Sequence, residues 1–194
     1  MSHVSKVLAN QSSDKKQYRL RRYDKPDESV AKAIQKPELV EKKLKKLKDT
    51  PLHQRVGLSL KDYNDSNIFK VGEKDFAQRF TNLGYDINWI TRRERNIKTG
   101  QILPNNDFEW ENEEWELKNP RNIVNTRISS LIREGAVRGK QNFMIDLGNS
   151  TVPKKLWKQL SRYNVNNPQK QISRLLVFNK GTLWKIILLK EKAR

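Results

Sequence analysis

The chain has 194 residues, enough for one domain with an appendage and a sizeable core. Basic residues outnumber acidic ones 40 to 22, a net charge of +18, so the whole molecule attracts polyanions, nucleic acid first and an anionic membrane surface second. Without cysteine there is no disulfide and no thiolate zinc site; no apolar run approaches a membrane span, and the polar N-terminus lacks the apolar region of a signal peptide.

Residues 1–60 read as a basic N-terminal extension. Ser2 to Pro37 is polar and charge-mixed, the composition of a flexible or loosely docked segment. Within it Tyr18 and Tyr23 stand among Arg19, Arg21 and Arg22, a set that either stacks on bases and contacts phosphate or is a solvated tail. Pro37 to Asp49 predicts a short helix, opened by proline and spaced by Leu39, Leu44 and Leu47, with a lysine-rich face. The basic excess is spread over this extension and the rest of the chain alike.

A folded domain is expected over residues 67–194. Val71 to Gly84 carries Phe76, Ala77, Phe80 and Leu83 at helical spacing and ends on glycine. Glu73 at its start is either a capping residue or a further carboxylate around a ligand. Tyr85 to Ile90 alternates as a strand, and Thr91 to Leu103 is a basic loop bearing Arg92, Arg93, Arg95 and Lys98. Asp107 to Lys118 predicts a β-hairpin turning at Asn112-Glu113, which pairs Trp110 with Trp115, Glu109 with Glu116, Phe108 with Leu117 and Asp107 with Lys118. One face is then apolar (Phe108, Trp110, Trp115, Leu117), and the other gathers Asp107, Glu109, Glu116 and Lys118.

Crowded carboxylates raise one another's pKa unless a cation relieves them. A divalent metal would do so, with Mg²⁺ first and Mn²⁺ or Zn²⁺ as alternatives, since Mg²⁺ takes one or two carboxylates and completes its shell with water or phosphate. Lys118 beside it would hold or deprotonate a water, or offset charge on a phosphate. The structural alternative is an acidic hairpin that is only a solvated surface.

Asn119-Pro120 stops the strand, and Ile123 to Arg138 predicts a helix with Arg127, Arg133 and Arg138 off its apolar stripe. Asn142 to Leu147 reads as a buried central strand interrupted by Asp146, which needs a partner or a strand end. A second helix over Pro153 to Tyr163, a further turn opened by Gln169, and a terminal hairpin around Asn179-Lys180-Gly181 complete the chain. The order α-β-β-β-α-β-α-β-β describes an α/β fold, a mixed sheet flanked by helices.

These pieces together resemble the C-terminal tRNA-nuclease domain of bacterial contact-dependent growth inhibition toxins, whose fold is of the PD-(D/E)XK nuclease type. The resemblance rests on Gly72-Glu73 with Ala77, the strand after Gly84, Asp107-Phe108, Trp115-Glu116-Leu117-Lys118 with Pro120, the following helix, Lys140-Gln141-Asn142 and Ile145-Asp146-Leu147. It covers residues 71–147 and, more loosely, extends to 189; residues 1–60 have no counterpart in it. It implies Asp107, Glu116 and Glu73 as metal ligands, Lys118 as the catalytic lysine, and Gln141 and Asp146 as supports. Asn106 stands where the pattern has proline, and Asn119 where it has a small residue. Arg92, Arg93, Arg95, Lys98, Arg121 and Arg127 would track the nucleic-acid backbone. The resemblance further implies a cytoplasmic site of action and an acidic immunity protein as partner; no delivery-module junction is legible, so a piece of a larger toxin delivered into a target cell and a free-standing protein both stay open. The competing expectations are a DNA endonuclease of the same fold and a non-catalytic basic nucleic-acid-binding module.

Overall fold

The computed structural model describes residues 25–91 and 105–190. Tyr18, Tyr23 and their arginines, and Arg92, Arg93, Arg95 and Lys98, lie outside the described residues. In chain order the described elements are β1 (Ala31–Ala33), α1 (Glu41–Asp49), α2 (Leu52–Arg55), α3 (Leu60–Asn64), α4 (Val71–Asn82), β2 (Asn88–Trp89), β3 (Phe108–Trp110), β4 (Glu113–Lys118), α5 (Asn125–Val137), β5 (Asn142–Gly148), α6 (Lys154–Ser161), α7 (Tyr163–Asn166), a 3₁₀ turn at Pro168–Lys170, β6 (Arg174–Asn179) and β7 (Thr182–Ile186). From α4 onward this is the order expected from the sequence.

The strands form one seven-stranded mixed sheet in the order β1-β7-β6-β5-β4-β3-β2. Its centre, β4-β5-β6, is parallel, because α5 and α6 carry the chain back between those strands, while the flanking pairs are antiparallel. Both faces are covered. Met144, Leu176 and Phe178 pack with Trp115, Leu117 and the α4 residues Phe76 and Phe80 on one side. Phe143, Ile145, Leu175 and Val177 pack with Ile128 and Ile132 of α5 and Leu156, Trp157 and Leu160 of α6 on the other. The near-continuous apolar runs of β5 and β6 follow from burial on both faces.

Four expectations are corrected. The hairpin turns at Glu111-Asn112, both with positive φ (52° and 59°), not at Asn112-Glu113. The pairs are therefore Phe108 with Trp115, Glu109 with Glu114, and Trp110 with Glu113. This is a slip of two residues, which leaves every side chain on its expected face but replaces its neighbour across the strand. The helix expected from Pro37 starts at Glu41, and the strand expected over 85–90 is confined to Asn88–Trp89. The segment from Ala31 to Leu58 is no loose appendage: Ala31 and Val56 are fully buried, Leu58 nearly so, and β1 pairs with β7. Gly84 closes α4 at φ 86°, and a Cβ there would come within 2.4 Å of Leu39, so this glycine also docks the N-terminal segment on the core.

Asp146, the carboxylate inside the β5 run, is matched by Arg79 of α4 in a two-pronged pair at 2.5 and 3.1 Å and accepts the Gly148 N–H at 3.0 Å. Arg79→Met leaves that buried carboxylate without its cation. Urea unfolding is expected to show a loss of about 3 kcal/mol; a loss under ~1 kcal/mol contradicts the assigned role of this pair.

Candidate active site

Hairpin geometry sets up the site. The Asp107 backbone is strapped on both sides, its N–H to the Trp115 carbonyl and its carbonyl to the Ile90 N–H, each at 2.9 Å. Asp107 lies one residue before β3, where its N–H bonds off the strand register, and its carboxyl sits within range of the Glu116 charge. The Leu117 N–H donates to Asp107 Oδ2 at 2.6 Å. Glu116, only 8% exposed, lies on the α5 face of β4, because Trp115 and Leu117 take the α4 face and Glu116 pairs with Phe143. Lys118, two residues on, shares that face, and its Nζ donates to Glu116 Oε1 at 2.5 Å.

The electrostatics follow from this crowding. Burial and the neighbouring Glu116 charge push the Asp107 carboxyl up to about 7; Glu73 adds to the rise, while the Leu117 N–H and Lys118 oppose it. Lys140, buried with its side chain 7% exposed, sets its Nζ 4.0 Å from Glu116 Oε2. Burial lowers its pKa, and the charges of Glu116 and Asp107 partly restore it. The Lys70 ammonium is held above its usual range by its hydrogen bond to Glu73, against the effect of burial and with help from Glu73, Asp107 and Glu116.

The structure places Asp107, Glu116 and Lys118 near one another, with Lys118 bonded to Glu116 and not to Asp107. Glu73 serves as the helix cap: its Oε2 accepts the Lys70 N–H at 2.9 Å and its Oε1 pairs with the Lys70 ammonium at 3.0 Å. Among the described residues no set of three His, Cys, Asp or Glu side chains is arranged to hold a metal. Asp146 faces α4, on the opposite side of the sheet from Glu116. Gln141 is exposed; its carbonyl accepts from the Ser173 and Arg174 N–H groups and its Oε1 from the Ser173 hydroxyl, tying the start of β5 to the start of β6. Arg121 and Arg127 are exposed, the latter on α5, which packs on β4.

Asn106 and Asn119, where the sequence departs from the toxin pattern, both make bonds here. Asn106 Nδ2 donates to Glu114 at 2.8 Å, and Asn119 Nδ2 to the Gly72 carbonyl at 3.0 Å, joining the end of β4 to the start of α4. Lys140 was not legible as a site residue: a lysine between Gly139 and a strand looks solvated, and only the fold turns it inward.

No family model matches the chain, and no curated protein matches it in sequence. Among solved structures it is similar to a chain of the CdiA-CT/CdiI toxin and immunity complex from Burkholderia pseudomallei, at 14% identity and a TM-score of 0.43, covering 80% of this chain and 96% of that one. At that TM-score the likeness carries no argument about the site.

Asp107 makes stability fall with pH. The unfolded chain releases this proton near 3.8 and the folded chain near 7, so the folded state binds more protons between those values and loses stability as pH rises through the window, levelling off above it. Urea unfolding at pH 5 and pH 8 should show a shallower decline for Asp107→Asn than for wild type. Added Mg²⁺ should raise the melting temperature of wild type at pH 8 but not that of Asp107→Asn. Identical pH profiles for the two proteins contradict the raised carboxyl.

Proposed function

We propose that this chain is a metal-dependent endonuclease of the PD-(D/E)XK type that acts on RNA, with tRNA as the favoured substrate. The observation that carries this reading is a pair of neighbouring carboxylates, Asp107 and Glu116, with the Lys118 amine bonded to one of them, in a protein of net charge +18. Two acids so close repel unless a proton or a cation stands between them. Asp107 and Glu116 offer hard oxygen donors, and two carboxylates are the complement Mg²⁺ takes when phosphate and water fill its other positions. Mn²⁺ suits the same donors; Zn²⁺ fits less well, because the chain has no cysteine and no histidine among the described residues stands with them. When bound, such an ion polarises a scissile phosphate and lowers the pKa of its water.

The chain's own residues divide the remaining work. The Leu117 N–H fixes Asp107 through Oδ2 and leaves Oδ1 for a ligand. Lys118, 19% exposed, is the amine placed to orient or deprotonate the attacking water or to offset charge on the phosphate. Arg121 and Arg127, and outside the described residues Arg92, Arg93, Arg95 and Lys98, supply charge for the backbone on either side of the cleaved bond.

The choice of RNA over DNA, the delivery into a target cell, the cytoplasmic site of action and an acidic immunity partner all rest on the sequence resemblance around Trp115-Glu116-Leu117-Lys118-Asn119-Pro120. An acidic partner suits a surface this basic.

Total tRNA and plasmid DNA incubated with the protein, with Mg²⁺ or with EDTA, test the reading directly. Cleavage of tRNA in Mg²⁺ alone is expected. Asp107→Ala and Lys118→Ala should each lose roughly 100-fold or more in rate, the scale of a positioned acid–base group, while remaining folded. RNA affinity should fall by roughly 0.7–0.9 log units per tenfold salt for each phosphate neutralised. Wild-type rates in Lys118→Ala overturn the assigned site; cleavage in EDTA overturns the metal; cleavage of plasmid alone moves the substrate to DNA.

A further inference from the structure

The nuclease reading leaves one difficulty. In the free protein the Lys118 ammonium is bound to Glu116 at 2.5 Å, yet it must leave that carboxylate to reach a water or a phosphate. Once it leaves, one oxygen of Glu116 is open to a cation or a proton, and the buried carboxylate depends on its other contacts to keep its position. Glu116 has a second amine behind it, Lys140, whose Nζ is 4.0 Å from the other oxygen, Oε2. That oxygen is fully buried and accepts no hydrogen bond.

The two amines are not equivalent. Lys118 is on the accessible side at 19% exposure, while Lys140 is at 7%. The backbone holds Lys140 from its N-terminal side: α5 ends with the Gly139 and Lys140 N–H groups bonded to the Ala136 and Gly135 carbonyls at 3.0 and 3.1 Å, and Gly139 turns the chain at φ 83°. Gly135 lets α5 settle onto β5, since a Cβ there would come within 2.6 Å of the Phe143 ring and 3.7 Å of Lys140 Cβ. Phe143 is the residue that pairs with Glu116. One amine can therefore swing away while the other is walled in.

Resting on the nuclease reading, we infer that Lys140 is a positioning residue for the reaction. It stays against the buried Oε2 of Glu116 as a fixed positive charge, holding the carboxylate in place while Lys118 leaves Oε1 for the substrate. It acts through Glu116 and Lys118 and makes no contact with the RNA.

Wild type, Lys140→Met and Lys140→Arg should be compared for melting temperature, for RNA affinity measured without divalent cation, and for single-turnover cleavage of tRNA in Mg²⁺. Lys140→Met should stay folded and bind RNA within about twofold of wild type, with a cleavage rate lower by roughly 10- to 100-fold, the usual effect of removing a group that orients a site residue. Lys140→Arg, which keeps the charge, should recover most of that rate. Lys140→Gln, read in the same way, serves where the methionine variant does not fold. Wild-type cleavage by a folded Lys140→Met overturns the inference and leaves the nuclease reading intact. Loss of RNA affinity in place of rate makes Lys140 a substrate contact and overturns it too. Absence of cleavage by wild type itself overturns both.

Discussion

Two carboxylates held side by side against their mutual repulsion are the constraint on which this structure turns. Asp107 and Glu116 meet beside the β3–β4 pairing of Phe108 with Trp115, where burial first and the Glu116 charge second raise the Asp107 carboxyl to about 7. Backbone pairing alone is slight support, since β3 has three residues and β2 has two. The aromatic face holds the register: Phe108 lies 5.6 Å from Phe76 and 5.8 Å from Trp89, and Trp110 5.8 Å from Trp115. Each such pair contributes about 0.5–1.5 kcal/mol beyond its buried area, so the dry side of the hairpin maintains the strained side.

That division explains which parts of the site were legible in the sequence. Alternation assigns faces, and the faces of Asp107, Glu116 and Lys118 read from the sequence are those observed. Alternation is blind to a slip of two residues, because every side chain returns to the same face. The turn decides between such registers, and it needs two residues at positive φ where the sequence supplies Glu111 and Asn112 without a glycine. Asn tolerates that conformation and Glu does not favour it, so local chemistry gave no clear vote for this position. The slip matters chemically. It replaces an expected Asp107–Lys118 pair with an acid near an acid, and assigns Lys118 to Glu116.

The N-terminal segment was misread for a related reason. Mean composition over Ser2 to Pro37 is that of a solvated chain, yet burial depends on single residues meeting surfaces built elsewhere. Ala31 is covered because β7 offers an unpaired edge, and Leu39 lies against Gly84, 45 positions further along the sequence. Lys140 is the same effect with opposite polarity: a charged residue set inward beside Glu116 of β4. Neither partner is visible in a local window.

Two buried carboxylates on adjacent strands show how satisfaction separates architecture from chemistry. Asp146 on β5 receives both prongs of the Arg79 guanidinium and the Gly148 N–H, and the guanidinium itself rests 5.4 Å over the Phe178 ring. Its bonds are directed, and they tie α4 to the sheet. Glu116 on β4 has one oxygen on a lysine that can leave, the other without a hydrogen bond, and a second acid alongside. The sequence resemblance put both residues near the same site. Only the incompletely satisfied one has capacity left for a ligand, because a carboxylate whose bonds are already complete would lose as much as it gained by turning to a metal or a phosphate-bound water.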